Sequence, residues 1–300
     1  MKKALRSIIW GIIGLLAKLR IVNQVGVAKL KYLEMMHKWP DFNQPKDINE
    51  KINWLKFYED TSLWVICSDK YAVREFLKSK GLEKYLVKLY GHWGDTSEID
   101  WASLPDKFII KPTNGSGDVL ICEDKSTLDI KSAEKHLSAL LKKRYGVLSA
   151  EPHYTRIKPS LIAEELLDSS TQPCGSTSLI DYKIWCFNGK PEYIMCCSNR
   201  KAGSLELSVY DLESTYHPEY IRTTQHYIKP QRPIPRPECL NEMLSISSIL
   251  AEGFPEVRVD LYQVNGKVYF GEMTFTSAGG FMNYYTQDFL NILGDMFALE

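Results

Sequence analysis

Near the C-terminus two β-prone runs, Val257–Tyr262 and Val268–Phe275, flank a turn at Asn265-Gly266, and charged residues interrupt their apolar pattern. A charge inside a buried strand is costly unless something answers it. This hairpin must therefore pair its charges or line a site, and its register decides how. A three-residue loop (Asn265, Gly266, Lys267) with Gly266 left-handed pairs Asp260 with Glu272 and Arg258 with Thr274, setting two carboxylates about 5 Å apart at Cβ. A two-residue loop without a bulge sends the carboxylates to opposite faces. In the first register they repel unless a cation lies between them, and hard oxygen ligands of this sort suit magnesium shared with a nucleotide's phosphates. Arg258 is the structural alternative, and if the pair only repels, neutralising either acid costs little stability.

Upstream, Phe108–Lys111 and Val119–Cys122 read as a second hairpin, joined by Pro112-Thr-Asn-Gly-Ser-Gly-Asp118. Small residues let backbone N–H groups turn toward a phosphate, and Lys111 stands at the strand end as a point charge. A plain flexible turn explains the same residues, and no Walker pattern is present. In Ser160–Asp168 two adjacent carboxylates interrupt an apolar strand, and since neighbours face opposite sides, one of Glu164 and Glu165 points inward. Asp181–Phe187 and the run to Cys197 flank a turn at Asn188-Gly189, with Asp181, Lys183 and Trp185 on one face. Helical spacing covers Asp47–Tyr58, Ser68–Leu77 (Ser68 or Asp69 as N-cap, Gly81 as stop) and Ser132 to about Tyr145. Leu104-Pro105 is a candidate boundary, and Lys229–Pro237 reads as a surface loop or linker.

Lys plus Arg and Asp plus Glu both number 37, so no whole-chain charge argues for nucleic acid. The seven cysteines lack a Cys-x-x-Cys pattern and read as core thiols of a reducing cytoplasm. The N-terminus departs from neutrality: Lys2, Lys3 and Arg6 precede the apolar run Ile8–Ala17, Lys18 and Arg20 follow, and no acid appears before Glu34. The run is short for a span of about 20 residues. It suits either the surface of an anionic inner leaflet or packing on the protein's own body.

A Lys at a strand end, a Gly-rich flap, a Glu-Glu strand, a Lys-bearing hairpin and Arg-x-Asp followed by Glu together resemble the ATP-grasp superfamily. Within it, Asn49–Lys56, Asp69–Arg74, Asp181-Tyr-Lys183 with Phe187–Pro191, Val257–Asp260, Gly271–Phe275 and Ala278–Gly280 resemble the TupA-like ATP-grasp family of bacterial surface-polysaccharide clusters. The resemblance runs from about residue 40 to 290. It implies an α+β fold in which two lobes grip ATP, preceded by a helical N-terminal region. The expected parts are 1–22 (basic apolar segment), 23–105 (N-terminal domain), 106–167 (lid with flap) and 168–300 (metal-bearing subdomain).

The same resemblance implies that Lys111 and Lys183 contact ATP phosphates and that Asn114, Gly115, Ser116 and Gly117 form the flap. Glu164, with the backbone of Glu165 and Leu167, would hold adenine, and Asp168 would contact the ribose. Asp260 and Glu272 would bind Mg2+, and Arg258 would stabilise the transferred phosphoryl group. Thr274 stands where many relatives carry Asn, which bears on a second metal. Thr276–Phe281, with Ser277, Ala278, Gly279 and Gly280, is the candidate acceptor loop. The implied chemistry is carboxylate–amine ligation through an acylphosphate, on a substrate such as a sugar-linked precursor, in the cytoplasm or at the inner membrane. A glycosyltransferase, for which no Asp-x-Asp motif exists here, and a nucleotide-binding module without turnover are the competing classes.

Overall fold

The computed structural model describes residues 7–14 and 21–299. Ahead of the sheets come α1 (Gln24–Met36), α2 (Ile48–Tyr58), α3 (Ser62–Ser68) and α4 (Val73–Ser79). Helix α2 forms where the spacing over Asp47–Tyr58 predicts one, and Asp47 caps it by accepting from the Glu50 N–H. The second expected helix differs. Ser68 ends α3, and Asp69 accepts from the N–H groups of Tyr71 and Ala72, holding a turn from which α4 starts only at Val73. Gly81, left-handed at φ 71°, stops α4.

A four-stranded antiparallel sheet of order β1-β4-β2-β3 follows, built from β1 (Leu89–Trp93), β2 (Phe108–Pro112), β3 (Leu120–Cys122) and β4 (Leu161–Glu165). One side packs on α5 (Ile130–Lys142) through Phe108, Ile110, Leu137 and Leu161. Strand β1 lies in the segment expected to form a separate N-terminal region, yet pairs with β4. The short helix α6 (Pro152–Thr155) precedes β4.

The larger sheet has six strands in the order β10-β9-β5-β6-β7-β8. These are β5 (Asp181–Phe187), β6 (Lys190–Lys201), β7 (Ser204–Tyr210), β8 (Tyr227–Ile228), β9 (Glu256–Val264) and β10 (Lys267–Thr274). All pairs are antiparallel except β7 with β8. One core joins this sheet to α2, α3 and α4 and to the later helices α7 (Leu240–Ala251) and α8 (Gln287–Asp295). Strand β5 is buried along its whole length, with Trp185 fully enclosed, so its charged residues cannot form a solvated face.

The β9–β10 hairpin reaches the expected pairing by another route. Its turn has two residues, Asn265 at φ 50° and Gly266 at φ 72°, and Val264 pairs with Lys267. A bulge at Gly271 then shifts the register, so that Asp260 pairs with Glu272 and Arg258 with Thr274. A Cβ at Gly271 would stand 2.9 Å from both the Asp260 carbonyl oxygen and the Tyr262 ring, so glycine is required there. All cysteines are free; Cys174 is exposed and Cys239 partly so, unlike the expected core thiols.

Candidate active site

The two sheets meet at a cleft. From the smaller sheet come Lys111, at the end of β2, and Glu164 on β4; from the larger come Phe270, Gly271 and Glu272. Helix α4 and the turn before it add Lys70 and Arg74. Leu86, Val87 and Phe270 give this cationic cleft an apolar wall, the combination a nucleotide needs for its base and phosphates.

Glu164 points inward and Glu165 outward, as strand alternation requires. Lys111 Nζ donates to Glu164 Oε2 and Arg74 Nη1 to Oε1, both at 2.9 Å. Lys70 Nζ donates to the Gly115 carbonyl at 2.5 Å, tying the flap to the cleft. Burial lowers the Lys70 pKa against the opposing pull of Glu272. Lys70 and Arg74 lie in the quoted Asp69–Arg74 motif but carry no expected role. Their convergence depends on the turn at Asp69, which helical spacing does not reveal.

Gly115 (φ 83°) and Gly117 (φ 90°) are left-handed, and a Cβ at Gly115 would stand 2.6 Å from the Tyr145 ring. Asn114 and Ser116 face Tyr145 and Lys143 in a small neighbouring recess. Leu167 and Asp168 lie beyond β4 and do not line the cleft. The Asp168 carboxylate accepts from the Ser170 N–H and hydroxyl, and the Glu165 N–H already donates to the Lys88 carbonyl.

Behind Glu272 lies a second group of charges. Arg258 grips Asp260 with two hydrogen bonds of 2.7 Å and donates to Ser277 Oγ at 2.7 Å and Thr274 Oγ1 at 3.1 Å. Lys183 lies between Asp181, at 2.6 Å, and Asp260. Burial alone would raise the Asp260 carboxyl, but Arg258 and Lys183 outweigh it and hold the pKa below the usual carboxylate range. For Asp181 burial wins, its pKa is raised, and its Oδ1 has no hydrogen-bond partner. Glu272 is the more open acid, accepting from the Thr274 hydroxyl at 2.9 Å with Arg258 Nη2 3.5 Å away.

The donor set fits magnesium of one kind. Among the described residues no three His, Cys, Asp or Glu side chains converge on a metal position. Asp260 and Glu272 supply two hard carboxylates beside a cationic cleft, which matches an ion completed by nucleotide phosphates and water rather than a protein cage. Asp260 already accepts three charge-assisted hydrogen bonds, which leaves little capacity beyond one metal bond.

The loop after β10 is held from several sides. Thr276 donates to Glu151 Oε1 at 2.6 Å, Lys56 Nζ to the Gly279 carbonyl at 2.8 Å, and Asn53 Nδ2 to the Gly280 carbonyl at 2.9 Å. Ala278, Gly279 and Gly280 are successively left-handed. Ser277, Gly279 and Gly280 are buried, so of these candidate acceptor residues Ala278 alone is exposed.

Two sheets gripping a Lys-lined cleft, with a Gly-rich loop tied to it through Lys70, make this an ATP-grasp fold. The chain belongs to the TupA-like ATP-grasp family, whose model matches residues 50–298. Similar solved structures include D-alanine–D-alanine ligase from Bacillus anthracis complexed with ATP, at 15% identity and TM-score 0.39, covering 70% of this chain and 54% of that one. D-Alanine–D-alanine ligase from Helicobacter pylori matches at 15% identity and TM-score 0.42, covering 84% of this chain and 67% of that one. Phosphoribosylamine–glycine ligase from Thermotoga maritima matches at 11% identity and TM-score 0.43, covering 84% and 66%. The chain thus spans about half to two thirds of the length of these structures. No curated relative matches it.

Proposed function

We propose that the chain is an ATP- and Mg2+-dependent carboxylate–amine ligase acting in the cytoplasm on a surface-polysaccharide precursor. The observation that carries this reading is the bulged hairpin, which sets Asp260 opposite Glu272 at the edge of a cleft lined by Lys70 and Lys111. In this reading Lys70 and Lys111 offset phosphate charge, the flap covers the phosphates, and Glu164 meets the base; Lys183, held between Asp181 and Asp260, lies off the cleft lining, as does Leu167, so neither takes the direct ATP contact expected of it. Asp260 and Glu272 would hold Mg2+, which would supply charge neutralisation for the transferred phosphate.

An oxygen of the acceptor carboxylate attacks the γ-phosphorus, and the bond from that phosphorus to ADP breaks. The amine nitrogen of the second substrate then attacks the acyl carbon, phosphate leaves, and the amine proton passes to solvent or phosphate. Arg258 would stabilise the charge that develops on the transferred group, and no protein nucleophile is needed. Its contact with Ser277 ties that guanidinium to the acceptor loop.

Release of ADP and phosphate from MgATP, measured across a panel of amines with uronic or amino acids, tests the proposal. Release that requires both a carboxylate and an amine supports ligation. Binding of MgATP with no release under any pair supports a nucleotide-binding module, and hydrolysis independent of acceptor contradicts both.

A further inference from the structure

Residues 7–14 form a helix with two unlike faces. Trp10 and Ile13 pack against a cluster formed by Val27, Ala28, Tyr32, Phe42, Ala150 and Phe281. Trp10 Nε1 donates to Glu34 at 3.0 Å, and a Cβ at Gly14 would stand 3.1 Å from the Leu148 side chain, so the helix is pressed closely on the body. The other face carries Ile8, Ile9 and Ile12, which are 59%, 47% and 53% exposed. Leu148, beneath Gly14, is exposed as well. Large aliphatic residues clustered on one helix face and left in water point to an apolar partner.

We infer that this face docks on an anionic lipid bilayer and turns the acceptor side of the cleft toward it. Charge selects that occupant. Lys2, Lys3, Arg6, Lys18 and Arg20 surround the helix in sequence and no acid precedes Glu34, whereas the whole chain has zero net charge. Cations flanking an apolar stretch in sequence are what an interfacial segment offers to acidic headgroups. The uncharged run Ile8–Ala17 is shorter than the roughly 20 residues that a bilayer span needs, so the segment lies on the surface in this proposal.

The orientation follows from Phe281. This residue shares the cluster under Trp10 and directly follows Gly279 and Gly280 in the candidate acceptor loop. Lys31 bridges the two sites, its ammonium 5.5 Å from the Trp10 ring and 6.0 Å from the Phe281 ring, while donating to the Leu148 carbonyl. A bilayer under Ile8, Ile9 and Ile12 therefore lies on the acceptor-loop side. This part rests on the ligase reading and narrows it: the acceptor is carried on the membrane rather than free in solution.

The test uses the full chain with vesicles of phosphatidylcholine, alone or mixed with phosphatidylglycerol. Binding should require the anionic lipid, weaken with salt, and fall about tenfold or more in the double variant Ile8→Glu/Ile12→Glu. Unchanged thermal unfolding and ATP affinity in that variant show that the fold and nucleotide site are intact. Hydrogen exchange in residues 276–283 should slow on vesicle binding. Equal binding by wild type and variant overturns docking, as does a wild-type dimer that the variant dissolves, since the face would then be a self-interface. Vesicle binding without slower exchange at 276–283 overturns the orientation. No arm uses turnover, so failure of the ligase reading would appear separately, as absent acceptor-dependent ADP release.

Discussion

The cleft contains two charge clusters built from the same kinds of residue, and they differ in burial. At the rim, Glu164 bridges Arg74 and Lys111, with Lys111 partly exposed. Beneath it, Asp260 is fully buried between Arg258 and Lys183, and Asp181 closes the far side of Lys183. Of the rim residues Lys111 is the most exposed, while Arg74 and Glu164 are nearly as enclosed as the lower cluster, so the Lys111 pair is the one that exchanges readily with water and can be replaced by a phosphate. A buried one must stay neutralised whether or not a ligand is present. Lys111 is therefore suited to change partners, and the buried cluster to hold a fixed geometry under the proposed metal position. Glu272 connects them, paired to Asp260 across the hairpin yet open to the cleft.

The largest expected effect comes from separating these roles at the two acids. Asp260→Asn leaves Arg258 and Lys183 short of a counter-charge and should destabilise the protein by about 3 to 5 kcal/mol in urea unfolding. Glu272→Gln should cost less than about 1 kcal/mol. This corrects the expectation that neutralising either acid relieves repulsion: Asp260 is held by two cations rather than facing a bare carboxylate. Equal stability losses would erase the distinction between the clusters.

Glu272→Gln should act on the ligand instead. The enhancement of ATP affinity by Mg2+ should fall about a hundredfold, read by titration with and without the ion. Asp260→Asn, if it folds, should lose the same enhancement. A Glu272→Gln variant with normal magnesium dependence would remove the metal assignment while leaving the fold comparison untouched.

At the rim, Lys70→Ala and Lys111→Ala should each weaken ATP binding by about 1.5 to 3 kcal/mol, as for lost charge-assisted contacts, with little change in unfolding midpoint. Lys70 sharpens the test, because its second contact is the Gly115 carbonyl of the flap. Faster hydrogen exchange across residues 114–117 in Lys70→Ala alone would separate its flap contact from its charge. Unchanged ATP affinity in both variants would mean that phosphates bind elsewhere.

The pairing of Asp260 with Glu272 was legible in sequence because alternation and turn chemistry leave few registers, but the loop length was not. A two-residue turn plus a bulge at Gly271 gives the same partners as a three-residue loop, and the deciding fact, the close approach of Tyr262 and the Asp260 carbonyl to Gly271, is tertiary. The Gly-rich loop was readable from local composition, and strand alternation gave that one of Glu164 and Glu165 points inward, while the family resemblance singled out Glu164. Helices α1, α3, α7 and α8 were not anticipated, nor were Lys70 and Arg74 as cleft residues. Whether α4 begins at Ser68 or Val73 turns on which backbone groups Asp69 binds, and that choice aims Arg74 at Glu164. The buried state of the Asp181–Lys183 pair was also hidden, because strand alternation does not tell a solvated face from one covered by another element.

The smallest effect compares two buried lysines. Lys183 lies between Asp181 and Asp260, which outweigh burial and raise its pKa. Lys56 is as deeply enclosed but is answered by one carboxylate, Glu151, against the like charge of Lys31, and burial pushes it down to about 7. Between about 7 and its ordinary value of 10.5 the unfolded chain holds a proton on Lys56 that the folded protein lacks, so stability contributed by this residue rises with pH. Below that window both states are protonated and the cost of a buried ammonium is felt in full. The stability of wild type relative to Lys56→Met should therefore increase from pH 7 to 10, by at most about 1.4 kcal/mol per pH unit. Taking the difference cancels the buried tyrosines, which titrate alike in both proteins. A flat difference would mean that Lys56 stays charged through its bond to the Gly279 carbonyl, and that one carboxylate is enough to hold a buried lysine as firmly as the pair around Lys183.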